Sequence, residues 1–397
     1  MKGFCVALTV CVAAGLSAGQ TAMEEGVGPG SAEATTLPAG MVDPNEAKVV
    51  RAIANLGGSM VRDSNLRGKP VMRVSLLGCP LTNQALRLLS ELPDLRILDL
   101  GKTKIDDAGL AYVSGCKGLR RLYLNDTGIT DEGLREVGKL VDLRILELGG
   151  TAISDAGLKE LAALTALKTL DIRNTKVTDA GLKSLQSLDG LDALYLIGTK
   201  VTDAGMADLK AMTGLDALHL GQTAVTDEGL KQIKELKSPE KFDFGGTKIT
   251  DAGLKEISGC KTLNSLGLGN TAVTDAGMAE VAKLTRLRYL HLDGTKVSDT
   301  GLKDLKGLTR LRKLDLSGTV VTDKGLESLR EMPGLTRLLL RKTAITDAAI
   351  PTLKSMTYLL GLDLTDTQVT PKGLEELRKV LGEDRVTGGS SAATAAP

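Results

Sequence analysis

Asp recurs every 24 residues in eleven consecutive places, from Asp107 to Asp347, and two residues beyond it stands Gly, from Gly109 to Gly325. Carboxylates serve as general acids and bases and as calcium ligands, so the row raises two chemistries. Acid–base catalysis needs an acid and a base whose surroundings push their pKa values apart, and eleven equivalent positions supply no such contrast. Calcium loops crowd several oxygen ligands into about twelve residues, whereas here one Asp serves each 24. A third role fits better: a Thr-Asp pair just ahead of a helix caps free backbone N–H groups and sets negative charge at the positive end of the helix dipole. The row is therefore expected to cap helices, with departures only at the ends, Asn83 and Pro371. The Gly is expected to let neighbouring turns approach closely.

The remaining chemistry-bearing motifs are weak. Gly101-Lys102-Thr103 has Arg96 where a phosphate-binding loop needs its upstream Gly, and the G-x-S-x-G match at Gly15 to Gly19 lies in an apolar leader. Without the leader, only Cys79, Cys116 and Cys260 remain, an odd number far apart, so no disulfide framework is expected. Lys+Arg at 50 against Asp+Glu at 49 offers no general attraction for nucleic acid or an anionic membrane. The chain is read as having no catalytic residues, no cofactor and no metal site.

The elements that position these residues follow from the repeat. An ungapped register of 24 begins at Val71, Leu95, Leu119 and onward to Leu359, thirteen units in all. Within a unit the pattern is L-x-x-L-x-L-x-x-T-x-[VI]-[TS]-D-x-G-L-x-x-[LVI]-x-x-[LMCV]-x-x. Positions 4 and 6 alternate with polar or small residues, as in a strand with one buried face. Positions 16, 19 and 22, such as Leu182, Leu185 and Leu188, mark one face of a short helix. About seven buried side chains at roughly 2 kcal/mol each do not offset the ordering of 24 backbones at roughly 1–2 kcal/mol apiece, so units must stack, strand beside parallel strand. Cys116 and Cys260, both at position 22 and six units apart, then lie about 29 Å from each other and are packed thiols.

Leu143, Leu146, Leu148 and Thr151 carry an L-x-x-L-x-L-x-x-T signature. It resembles that of the leucine-rich-repeat family, and the resemblance spans residues 71–382. It is similar in particular to exported bacterial members with a T-D-A-G-L turn, and to the repeat half of F-box leucine-rich-repeat proteins. The resemblance implies an α/β horseshoe solenoid, with a parallel β-sheet on the concave face and short helices on the convex face. The family's usual Asn at position 9 is Thr here in twelve units and Cys79 in the first, so a hydroxyl ladder is expected in place of an amide ladder.

The flanks read as a signal peptide at 1–19, a flexible linker at 20–42, an N-terminal cap of helix plus strand at 43–70, and a disordered tail at 383–397. In the cap, Asp43 is expected to begin a helix, Pro44 to occupy its first position and Glu46 to close a capping box, with Val49, Ile53 and Leu56 covering the first repeat. The apolar run at Phe4 to Leu16 is too short to span a bilayer. The expected location is exported: periplasm, cell envelope or extracellular space.

Subtracting the scaffold leaves the concave positions 3, 5, 7 and 8. There stand Asp99, Tyr123, Glu147, Asp171, Arg173, Tyr195, His219, Asp243, Tyr289, His291 and Asp315, with the charges mixed in sign. Tyr and Arg are frequent interface anchors. His219 and His291 are three units apart, roughly 14 Å, too far to share an ion. The expected function is a non-enzymatic, monomeric scaffold binding an unidentified protein or peptide, with no nucleic acid and no integral membrane segment. The alternatives are an F-box-like ubiquitin-ligase adaptor, and an envelope spacer or carbohydrate-associated protein.

Overall fold

A computed structural model describes residues 44–66, 68–234 and 236–389. Its fifteen strands form one sheet in chain order. Only the first pair, Ser59–Arg62 with Val71–Ser75, is antiparallel; every later pair is parallel at a constant offset of 24, as in Leu170↔Leu194 and Leu194↔Leu218. The leader, the linker and Asp43 lie outside the described residues.

Each unit places a strand of three residues, five in the first and last units, a turn and a short helix around a continuous apolar interior. In the unit from Leu191, Leu194, Leu196, Val201, Met206, Leu209 and Met212 are all buried with it. Where Pro239 stands at position 1, Phe242 and Phe244 occupy the two inward strand positions, their rings 5.3 Å apart. Cys116 and Cys260 are free and buried, and burial pushes the Cys116 thiol up to about 11.

The turn from strand to helix differs from expectation in three respects. First, the capping group is the position-12 side chain, in most units a hydroxyl: Thr178 accepts from the Ala180 N–H at 3.3 Å, and Asp106 caps the second unit with its carboxylate. The Asp at position 13 is the first helical residue, and its carboxylate reaches forward to the cap of the next unit. Asp179 accepts from both the Thr202 N–H and its hydroxyl at 2.7 Å, and the same two bonds recur from Asp107 to Thr130 and from Asp347 to Thr370. The Asp row is thus an inter-unit clamp, because a carboxylate at N1 points along the stack rather than back at its own helix. The Gly at position 15 gives the clamp room: a Cβ on Gly205 would lie 2.5 Å from the Asp179 Oδ1.

Second, the Thr at position 9 forms no ladder between units. Each hydroxyl donates to the carbonyl three residues back in its own unit, as from Thr223 to Leu220 at 2.6 Å. Thr223→Val keeps the shape but strands the carbonyl, and is expected to lower stability by about 1 kcal/mol in a urea melt.

Third, position 8, read as a free concave position, adopts left-handed backbone in every unit, from Gly78 at φ 67° through Asn174 at 53° to Asp366 at 58°. That conformation explains its bias to Gly, Asn and Asp.

The ends close the stack. In the helix Pro44–Asn55, Val49 and Ile53 are buried and Leu56 packs beside them, while Glu46 pairs with Arg62 on the first strand. At the other end the expected tail is corrected in part. Val386–Gly389 forms the fifteenth strand, parallel to Gly361–Thr365, with Val386 buried and Gly388 close against Leu374. One apolar residue ahead of a Gly pair suffices, because the last unit leaves both a strand edge and a patch of core uncovered. Residues 390–397 lie outside the described part.

Candidate binding face

Constant register turns each strand position into a row across the sheet. Row 5 runs from Ser75 through Asp99, Tyr123, Glu147, Asp171, Tyr195, His219, Asp243, Gly267, His291 and Asp315 to Leu339 and Asp363. It holds six acids and no Lys or Arg. Row 3 alongside holds Arg73, Arg121, Lys241, Lys313 and Arg337 and no acid. Within rows 3 and 5 the charges are sorted into two parallel lines about 6.6 Å apart, while position 7 holds both signs, with Arg173, Asp293 and Arg341. Along the rim at position 2, Arg96, Arg120, Arg144 and Lys168 give way to Asp192, Asp216 and Glu240, then to Arg288 and Arg312. Position 5 read down the units shows the acids from sequence alone; the basic line appears only when position 3 is read the same way.

The structure brings the expected residues together in three groups. In the first, Asp171 is 1% exposed. Arg173 folds over it, with Nε at 2.8 and 3.0 Å from its two oxygens and Nη2 also on Oδ2, while Gly149 leaves space for the arginine stem. Asp171 is therefore not free to meet a partner, since an arginine two residues along the same strand covers it. Burial pushes the neighbouring Glu147 carboxyl above its ordinary 4.5; the Asn125 amide works against this, and the Asp171 charge adds to it. Tyr123 shifts upward, chiefly through burial. Glu147 is thus costlier to ionise in the folded state, so its contribution to stability declines as pH rises through 4.5 and beyond. Glu147→Gln is expected to leave stability unchanged at pH 3.5 and to raise it at pH 7, in urea melts at the two values.

In the second group Tyr195, 8% exposed, stacks on His219 with ring centroids 4.4 Å apart. The His219 Nδ1 lies 3.7 Å from Asp243 Oδ2. Burial works to raise the Asp243 pKa, but the imidazole and the Gly245 amide outweigh it and hold the carboxyl below its ordinary value. In the third group His291 Nδ1 faces Asp315 Oδ2 at 3.9 Å, with Tyr289 beside it, 42% exposed. Burial, then Lys313, lowers the His291 pKa, while burial and Asp315 raise that of Asp293. Asp293, absent from the expected set, completes the one cluster of three metal-donating side chains among the described residues; donor atoms of His291, Asp293 and Asp315 lie within 4.8 Å of one another. Asp99 stands apart from these groups, bonded to Ser75 and to the Gly101 amide at 3.1 Å each.

A depression of about 700 Å³ lies elsewhere, lined by Lys234, Lys237, Pro239, Lys255, Cys260 and Lys261. Burial raises the Cys260 thiol pKa against the pull of Lys261, which disfavours a thiolate nucleophile. No helix among the described residues is long and apolar enough to cross a membrane.

Fold and face together define an open repeat solenoid whose varied side chains gather on its parallel sheet. The chain belongs to the leucine-rich-repeat family: a leucine-rich repeat region model matches residues 72–242 and a leucine-rich repeat model residues 308–329. Among solved structures it is similar to an internalin of Listeria monocytogenes, at 23% identity over 90% of this chain and 99% of that one, with a TM-score of 0.60. It is also similar to a leucine-rich-repeat protein of Leptospira interrogans, at 21% identity over 76% and 74%, with a TM-score of 0.54. These are likenesses of fold. No curated protein matches the chain.

Proposed function

We propose that the protein is an exported, non-enzymatic scaffold that binds a protein or peptide partner along its concave sheet. The observation that carries this reading is the sorting of charge into a basic row 3 beside an acidic row 5, on a chain whose formal charge is only +1. Five of the six row-5 acids accept from the amide two residues on, as Asp243 does from Gly245 at 3.0 Å, but neither that local bond nor the inter-unit clamp calls for a row of cations beside them. A polyanion would meet the acidic row unfavourably, whereas a polypeptide presenting both signs complements both rows. The partner-facing set is Asp99, Tyr123, Glu147, Arg173, His219, Asp243, Tyr289, His291 and Asp315 with the exposed Arg121 and Arg337; Asp171 and Tyr195, each almost wholly buried, support it from beneath.

The test is cross-linked capture from envelope extracts with wild-type protein, a Tyr289→Ala/Arg337→Glu variant, and a convex control, Lys231→Glu. Capture of a discrete polypeptide should fall at least tenfold in the concave variant alone, at unchanged melting temperature, and should weaken with salt. Equal capture by all three would remove the concave face from consideration. Export is checked separately by sequencing the mature N-terminus, expected at Gln20; an intact Met1 would overturn it.

A further inference from the structure

We propose that His291, Asp293 and Asp315 form a binding site for a divalent transition-metal ion of the zinc class. The inference is independent of the partner-binding reading. Donors on one zinc ion, each about 2.0–2.2 Å from it, lie at most about 4.4 Å apart; the three side chains here are within 4.8 Å already, so small rotations close the set. One nitrogen with two carboxylates favours zinc-like ions over calcium or magnesium, which take oxygen shells.

Two further observations distinguish this cluster from a chance meeting of acids. The preceding unit alone carries glycine at both positions 5 and 7, and a Cβ on Gly269 would lie 2.5 and 2.7 Å from the two Asp293 oxygens. A side chain there would occupy the space the cluster needs. Two residues beyond Asp315, Ser317 has a buried hydroxyl oxygen with no hydrogen-bond partner among the described residues; its amide bond to Asp315 Oδ1 at 3.0 Å is one that position-5 acids make in other units as well. The molecule also contains its own control. His219 and Asp243 repeat the His–Asp relation at 3.7 Å, but position 7 of that unit is Gly221, so the third donor is missing. Lys313 is the nearby cation and makes no ion pair within 4.0 Å among the described residues; Asp315 Oδ1 accepts from the Ser317 amide and Asp293 Oδ2 from the Asn270 side-chain amide at 3.4 Å, so each carboxylate keeps its other oxygen for an ion.

Three donors leave room on the ion for water or for a carboxylate or imidazole from outside. The experiment is isothermal titration of the full, tag-free chain with zinc chloride, in parallel with Asp293→Asn, His291→Gln and His219→Gln, and with calcium chloride as a second titrant. One zinc per chain is expected, weakened at least tenfold by Asp293→Asn and by His291→Gln, and unaltered by His219→Gln. Circular dichroism confirms that each variant is folded, and Asp293→Asn keeps nearly the native shape. Absence of saturable zinc binding, binding indifferent to Asp293→Asn and His291→Gln, or calcium binding that survives His291→Gln would each overturn the site.

Discussion

Gly205→Ala is expected to destabilise the protein by about 2 kcal/mol in the wild-type background and by well under half of that once Asp179 has been replaced by Ala. The added Cβ would lie 2.5 Å from Asp179 Oδ1 and 2.9 Å from Leu182 Cδ1. The first clash is the costly one. Asp179 cannot retreat without breaking its bonds to the Thr202 N–H and hydroxyl, both at 2.7 Å, whereas the leucine methyl can turn. Asp179→Ala alone should cost about 3 kcal/mol, because two hydrogen bonds to a charged acceptor are lost. The two substitutions share one contact, so their costs do not add. Nature has made a related change at Ala349, where a 3-10 turn, Asp347–Ala349, precedes the helix Ile350–Ser355 and the Asp323 clamp to Thr346 is kept at 2.7–2.8 Å. Urea melts of the four proteins decide the matter; simple additivity would show that the glycine serves the helix and not the clamp.

Asp171→Ala is expected to cost about 3 kcal/mol, far more than the same change at Asp99. Both residues stand in the same row, yet Asp171 is almost wholly buried beneath Arg173, while Asp99 meets only a hydroxyl and an amide. Removing one partner of a buried pair leaves the other charge uncompensated, an effect of roughly 3–5 kcal/mol. The low end applies because the Arg173 side chain keeps 22% of its exposure and can turn toward water. Asp171→Ala/Arg173→Ala should recover part of the loss, since no charge is then stranded. If the single and double variants melt alike, or if Asp171 and Asp99 prove equal, the pair is a surface interaction.

The sequence made legible whatever repeats: the period, the inward apolar positions, the parallel stacking, and the convergence of tyrosine and histidine on one face. It concealed whatever depends on direction or on cross-strand neighbours. Asp179 and Thr178 adjoin in the chain, so a cap within one unit was the natural reading; the carboxylate instead bonds Thr202 in the next. Position 8 varied like a surface position, although its Gly, Asn and Asp were answering a left-handed turn. Asp171 looked accessible because alternation reports the face a residue occupies and not what lies above it. Asp293 went unnoticed because its neighbour Asp315 is 22 residues away in the chain. The final strand escaped because Val386 is a single apolar residue ahead of a low-complexity segment.

The clamp also bears on how such a chain changes length. From Leu119 to the unit beginning at Leu335, every unit carries a position-12 hydroxyl to be held and a position-13 Asp to hold the next. Excising or copying one whole unit therefore joins surfaces that already fit. The terminal units differ, with Asn83 bonded to Asp106 at the start and Pro371 offering no carboxylate at the end. Gene duplication can thus move His291 and its neighbours along the sheet in whole-unit steps without redesigning a junction, and the distance between recognition groups becomes a heritable, quantised trait.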